Sequence, residues 1–304
     1  MERQLRRVTS GYRACCWRSR YRLKARVKAV GNAGLSKVQE MKSHIIKSRE
    51  EQIEFFTFGE GRETLVLAAG NGRPASDLTE LAEGVSRHGI RVVTFNYRGI
   101  GSSDGPVENL TLHDYANDVW AIVDSLGATQ VHLGGKAYGN RVMRTASADQ
   151  PSRVTSIILY AAGGEVPADS ETTALYRRYT DPSVSEEEWL RLHAEINFAP
   201  MHADKARLSA ERGAYPHLAS LQVKAAQSTP VEDFLRGGTA PMLVLTGLDD
   251  RVAVPQNALN IAVTRPNARL VGIPNCGHNM IFEVLDDLVM YTVEHIQRNS
   301  NSGL

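Results

Sequence analysis

The chain has 304 residues, 42% hydrophobic and 23% charged, which suits a soluble globular protein of one large domain or a domain with an insertion. Its net charge of +1 conceals an imbalance: residues 1–40 carry 11 Lys and Arg against 2 Glu, and the remainder carries 24 against 32 acidic residues. The mildly acidic body has no general attraction for nucleic acid, and no apolar run reaches the length of a membrane span or forms a signal-peptide core.

In chain order the first segment is the basic arm, residues 1–40, which has three readings. It is Arg-rich and acid-poor like an organelle transit peptide, with Leu5, Val8 and Tyr12 at helical spacing. It also fits a disordered tail that touches anionic partners, or an idle stretch upstream of a true start at Met41. Cys15 and Cys16 lie in the arm and Cys276 stands alone, so the cysteines give neither a disulfide framework nor a paired metal site. That usage points to a reducing compartment, the cytoplasm, with organelle import through the arm as the alternative.

From residue 43 onward, short apolar runs alternate with helical stretches. Strands are predicted at His44–Lys47, Gln52–Phe58, Thr64–Ala69, Arg91–Tyr97, Gln130–Leu133, Thr155–Tyr160, Met242–Thr246 and Ala268–Ile273. Helices are predicted at Ala75–His88, Leu112–Leu126, Asn140–Asp149, Pro255–Val263 and Phe282–Arg298. The runs "RVVTF", "SIILY" and "PMLVLTG" are apolar on both faces, as in parallel sheets covered on both sides. The alternation predicts a doubly wound α/β sheet with right-handed crossovers. The first two strands are too close for a crossover and are expected to pair as an antiparallel hairpin at one edge.

Residues 165–240 break the rhythm, with no convincing strand. In "SEEEWLRLHAEI", Ser185 stands three residues before Glu188, a capping-box start, and "LASLQVKAAQS" is a second helix candidate. The expectation is a helical cap over 165–240, above the strand ends where α/β sheets bind ligands, on a core of 41–164 and 241–304. The other reading is a surface excursion with a packing role only.

The chemistry centres on Gly135-Lys136-Ala137-Tyr138-Gly139. Glycines bracket a position between a strand and a helix, as a tight strained turn requires. The spacing is that of G-x-S-x-G, with alanine where the serine belongs. Gly247-Leu248-Asp249-Asp250 follows the strand "MLVLT", and Asn275-Cys276-Gly277-His278 follows "ARLVGIP". The order is nucleophile position, acid, histidine, each on a loop after a strand. With "VVTFNYRGIGSSDGP", which is similar to an R-G-x-G-x-S turn after the fourth strand, these motifs make the chain from about residue 43 onward resemble the α/β-hydrolase superfamily.

The resemblance implies an eight-stranded, mostly parallel sheet flanked by helices, and it implies roles. His278 is the general base and Asp250 its orienting acid, with Asp249 as alternative and Glu165 as a weaker candidate. The backbone N–H groups of Asn71 and Tyr138 form the oxyanion hole. The superfamily's usual His-Gly is replaced by Ala69-Gly70, which puts the geometry of that loop in question. Cys276 is a remote substitute nucleophile, two residues from His278. Lys136 is expected to point away from the pocket. The partial match of Gly99-Ile100-Gly101 to a dinucleotide fingerprint fails, because Asp104 takes the third glycine's place and no helix is expected there. No metal or cofactor is implied.

Ala137 removes the ordinary serine mechanism. Four explanations follow: a natural serine-less enzyme in which the Asp250–His278 dyad activates water, an inactive small-molecule binding protein, an engineered Ser→Ala substitution, and an interaction scaffold. "GKAYGNRVMR" and "AAGG" resemble a subset of the superfamily with alanine at the elbow, which favours the first. The expected ligand is a small apolar ester, amide or activated carbonyl compound. Tyr176, Trp189, His193, Phe198 and Tyr215 are candidate pocket residues, or packing residues of the cap.

Overall fold

The computed structural model describes residues 41–48, 51–235 and 237–300. The basic arm and its three readings lie outside those residues.

All eight predicted strands form. They are β1 (Lys42–Ser48), β2 (Glu51–Phe58), β3 (Glu63–Ala68), β4 (Ile90–Phe95), β5 (Val131–Lys136), β6 (Val154–Tyr160), β7 (Met242–Gly247) and β8 (Ala268–Ile273). They make one sheet in the order β1-β2-β4-β3-β5-β6-β7-β8. The β1–β2 hairpin lies at one edge as expected, and β2 also runs antiparallel to β4. From β4 to β8 every pairing is parallel. The sequence pattern follows the sheet: β5 and β7 are buried throughout, whereas β2 alternates along its length. Strands covered on both faces need apolar residues on both faces, and a strand with one face less covered does not.

The helices are α1 (Thr79–Ser86), α2 (Leu112–Ser125), α3 (Tyr138–Asp149), α4 (Ser170–Tyr179), α5 (Glu186–Asn197), α6 (Ala206–Glu211), α7 (Pro216–Gln227), α8 (Val231–Leu235), α9 (Pro255–Val263), α10 (Met280–Glu283) and α11 (Leu285–Asn299). Five of them, α4 to α8, occupy the interval between β6 and β7. Ser185 caps α5 by accepting from the Glu188 backbone N–H at 3.2 Å. The reciprocal half of the box is replaced, because the Glu188 carboxylate pairs with Arg178 at 3.0 Å. Among the described residues, no helix is long and apolar enough to cross a membrane.

Parallel strands deliver their C-terminal ends to one side of the sheet. The segments carrying Asn71, Ala137, Asp250 and His278 follow β3, β5, β7 and β8 at that side.

Candidate active site

The elbow is a property of the backbone. Ala137 joins β5 to α3 with φ 50 and ψ −113, a conformation that costs an L residue roughly 1–3 kcal/mol. It persists because its surroundings fix it. The Ala137 N–H donates to the Tyr160 carbonyl at 3.0 Å, and Asn140 Nδ2 donates to the same oxygen at 2.8 Å. A Cβ on Gly135 would lie 2.4 Å from the Gly139 carbonyl, and one on Gly139 would lie 2.3 Å from the Ala68 carbonyl oxygen. Both glycines are therefore required by close backbone approach, as the spacing predicts. Ala137 is half-buried, between fully buried neighbours on either side.

The acid and histidine loops meet beyond β7 and β8. A Cβ on Gly247 would lie 2.2 Å from the Cys276 carbonyl oxygen, which also accepts from the Asp249 N–H at 3.0 Å. This backbone contact aligns the two side chains. His278 Nδ1 is 2.9 Å from Asp250 Oδ2, and both residues are buried. Asp250 Oδ1 accepts from the Val252 and Ala253 N–H groups, each at 2.8 Å. A buried carboxylate bonded on both oxygens is held in one orientation. Of the alternatives, Asp249 and Glu165 are both exposed. The Cys276 thiol is fully buried, and burial followed by the nearby carboxylates of Glu283 and Asp250 pushes its pKa far up, so it supplies no thiolate.

The turn after β3 that carries Asn71 is held by α7. Gln222 Oε1 accepts from the Gly72 N–H at 2.7 Å and from Asn71 Nδ2 at 3.2 Å. Asn71 Nδ2 also donates to the Ala219 carbonyl at 3.1 Å, and the Tyr215 N–H donates to the Gly72 carbonyl at 2.8 Å. The loop packs on the elbow: a Cβ on Gly70 would lie 3.8 Å from that of Ala137. Among the described residues, no protein acceptor takes the backbone N–H of Asn71 or Tyr138. The Tyr138 ring packs edge-on against Tyr97 and Tyr115, away from any hydrogen-bond partner for its hydroxyl.

Three residues enter the site that the sequence pattern did not single out for it. Glu283 Oε2 accepts from the Gly277 N–H at 2.9 Å and the Ala199 N–H at 2.8 Å, pinning the histidine loop to the end of α5. Burial raises its pKa against those two bonds. Asn279 Oδ1 accepts from Lys136 Nζ at 2.7 Å, and Asn279 Nδ2 reaches Ser209 Oγ at 3.2 Å. Gln222 is the third. No local motif marks them, since each acts across more than 60 residues of chain or through a backbone group. The Lys136 side chain, expected to point away from the pocket, is buried and bonded to Asn279, the residue after His278.

Of the aromatic candidates, Trp189, His193 and Phe198 form a chain of ring contacts that Tyr176 joins through Tyr179, while Tyr215 is exposed. Tyr179 stacks on Trp189 at 5.2 Å, and Trp189 stacks on His193 at 5.1 Å with ring planes 6° apart. His193 is held neutral, its pKa lowered to about 3 by burial and then by Arg73 and Lys136. The turn after β4 carries no helix before α2, and Asp104 there pairs with Gln52 in an isolated bridge. Among the described residues, no group of three or more His, Cys, Asp or Glu is placed to hold a metal ion.

Residues 64–284 match the family described as alpha/beta hydrolase fold. The chain belongs to that family. This α/β-hydrolase is 27% identical over 243 residues to the 2-hydroxy-6-oxononadienedioate/2-hydroxy-6-oxononatrienedioate hydrolase 1 of Dechloromonas aromatica (strain RCB), covering 75% of this chain and 84% of that protein. It is 25% identical over 269 residues to the rhodomycin D methylesterase DauP of Streptomyces sp. (strain C5), covering 76% and 89%. The esterase EaEST of Exiguobacterium antarcticum superposes with a TM-score of 0.70 at 21% identity, covering 84% of this chain and 100% of that one. A Ser-to-Ala mutant of the meta-cleavage product hydrolase CumD of Pseudomonas fluorescens IP01 gives 0.70 at 19% identity, covering 84% and 97%. These two structural likenesses establish the fold, and the named sequence relatives are hydrolases.

Proposed function

We propose that this α/β-hydrolase cleaves a small, largely apolar ester, amide or activated carbonyl compound without a covalent serine intermediate. The observation that carries the reading is the Asp250–His278 pair, with His278 Nδ1 engaged at 2.9 Å and both Asp250 oxygens bonded. The carboxylate keeps the proton on Nδ1, which leaves Nε2 as the base. Nε2 takes a proton from water, the resulting hydroxide attacks the substrate carbonyl, and the oxyanion rests on the Asn71 and Tyr138 N–H groups. The intermediate collapses as the imidazolium returns its proton to the leaving group. The sum is one water consumed and two products released.

Ala137 sets the scale. Losing the serine of a hydrolase costs about a million-fold in turnover and leaves about a thousand-fold over water. The reading therefore requires slow turnover, or a substrate activated enough to accept water directly. Ala137 leaves room for that water, and the helices of 165–240 act as a cap over the strand ends. The named relatives support the reaction class, since they are hydrolases of dioates and of a methyl ester.

Alanine at the elbow also favours a second reading, a binding protein that retains the site without turnover. Turnover of activated esters by native protein and by His278→Ala separates the two. Water activation requires a loss of about 100-fold or more in the variant. Unchanged hydrolysis in folded His278→Ala protein eliminates the dyad, and unchanged ligand affinity with no hydrolysis in either protein supports the binding role.

A further inference from the structure

Lys136 is the last residue of β5, and Ala137 follows it directly. Asn279 follows His278 and stands at the start of α10. Lys136 Nζ donates to Asn279 Oδ1 at 2.7 Å, and both residues are buried. Among the described residues this is the one hydrogen bond that joins β5 or the elbow to the histidine loop, across 143 positions of sequence. Both of its ends are fixed. Lys136 pairs in parallel register with Tyr160 of β6. The Asn279 N–H donates to the Asn197 carbonyl at 2.8 Å, and Asn279 Nδ2 donates to Ser209 Oγ at 3.2 Å. Asn279 is therefore a junction between β5, the histidine loop and helices α5 and α6.

Stability gives little reason for a lysine here. Among the described residues Nζ has no carboxylate at ion-pair distance, and an ammonium buried against one neutral amide costs more than that bond returns. An apolar side chain would fill the space more cheaply. A residue that is costly where it stands suits a place where geometry matters more than stability. We propose that Lys136 and Asn279 are positioning residues whose bond fixes His278 relative to Ala137. The proposal rests on the reading of His278 as the base. Asp250 orients the imidazole, but its bonds go to His278 and to its own loop. The lysine–asparagine bond ties that pair to the strand that carries the tip. A displacement of about 1 Å at a reacting centre is worth about a hundredfold in rate. Neither side chain is assigned a contact with the substrate, so losing the bond acts on kcat and spares KM.

The test uses the full chain carrying Lys136→Met, Asn279→Leu or both, each checked for fold by circular dichroism. On a short-chain nitrophenyl ester, each single change should lower kcat by about ten- to a hundredfold with KM held within about twofold. The double variant should be no slower than the slower single one, because both changes remove the same bond. Unchanged kcat in a folded single variant, a loss carried by KM, or losses that multiply in the double variant overturn the proposal. A second readout needs no turnover. With histidine isotopically labelled for nitrogen NMR and His278 assigned through His278→Gln, Lys136→Met should shift the His278 ring resonances. Those of His132, at the other end of β5, should stay in place. Unmoved His278 signals in folded Lys136→Met overturn the proposal even where native protein is inactive. Inactive native protein with shifted His278 signals removes the hydrolytic reading and supports the positioning bond.

Discussion

The two halves of the site are built from different material. The acid–histidine half is made of side chains: His278 bonds Asp250, and Asp250 Oδ1 and Glu283 Oε2 each accept from two backbone N–H groups. The elbow half is made of backbone. Its shape comes from Gly135, Gly139 and a strained Ala137, and it persists although the side chain that ordinarily justifies such a turn is absent. Strain of this kind survives only where packing over-determines it. A turn of this shape thus persists with no nucleophile at its tip.

Restoring the missing atom sharpens this comparison most. Ala137→Ser places a hydroxyl on a backbone already bent for it, and hydrolysis of short-chain nitrophenyl esters should rise by about a thousand-fold or more. No gain in folded protein would mean that the two halves are not in working register. The converse change breaks the backbone half. Gly139→Ala drives a methyl into the Ala68 carbonyl oxygen at 2.3 Å and should cost about 3 kcal/mol in denaturant unfolding. A neutral result there would remove the claim that the elbow is set by close approach.

The smallest effect lies behind the side-chain half. His193 has a folded pKa of about 3, below its ordinary 6.5, so the unfolded chain binds the extra proton first as pH falls. Its contribution to stability is present above pH 6.5 and is lost progressively toward pH 3. Between neutrality and about pH 5 that loss is about 2 kcal/mol. His193→Gln should flatten this limb of a stability–pH profile. His295, lowered to about 4 mainly by burial, leaves part of the limb in place.

Much of the scaffold was legible in the sequence because strands buried on both faces must be apolar throughout. The errors fall where local pattern and tertiary context part. β5 runs on through Gly134, Gly135 and Lys136, residues of poor strand propensity that pair in register with β6. The helix after the elbow begins at Tyr138, two residues before its predicted start, directly after the strained tip. The predicted helix Phe282–Arg298 breaks into α10 and α11 around Val284, at φ −136 and ψ 45. α4 was not anticipated, since "SETTALYRRY" is polar with one buried residue. The ordered motifs single out Ala137, Asp250 and His278, on which the proposed reading rests, while the contacts of Lys136, Asn279, Gln222 and Glu283 are ones that no spacing encodes.

Helix α7 is a keystone and not a hinged door. Four hydrogen bonds join Tyr215, Ala219 and Gln222 to the turn at Asn71–Gly72, so lifting the helix dismantles that turn, and with it the oxyanion site that the proposed reading places there.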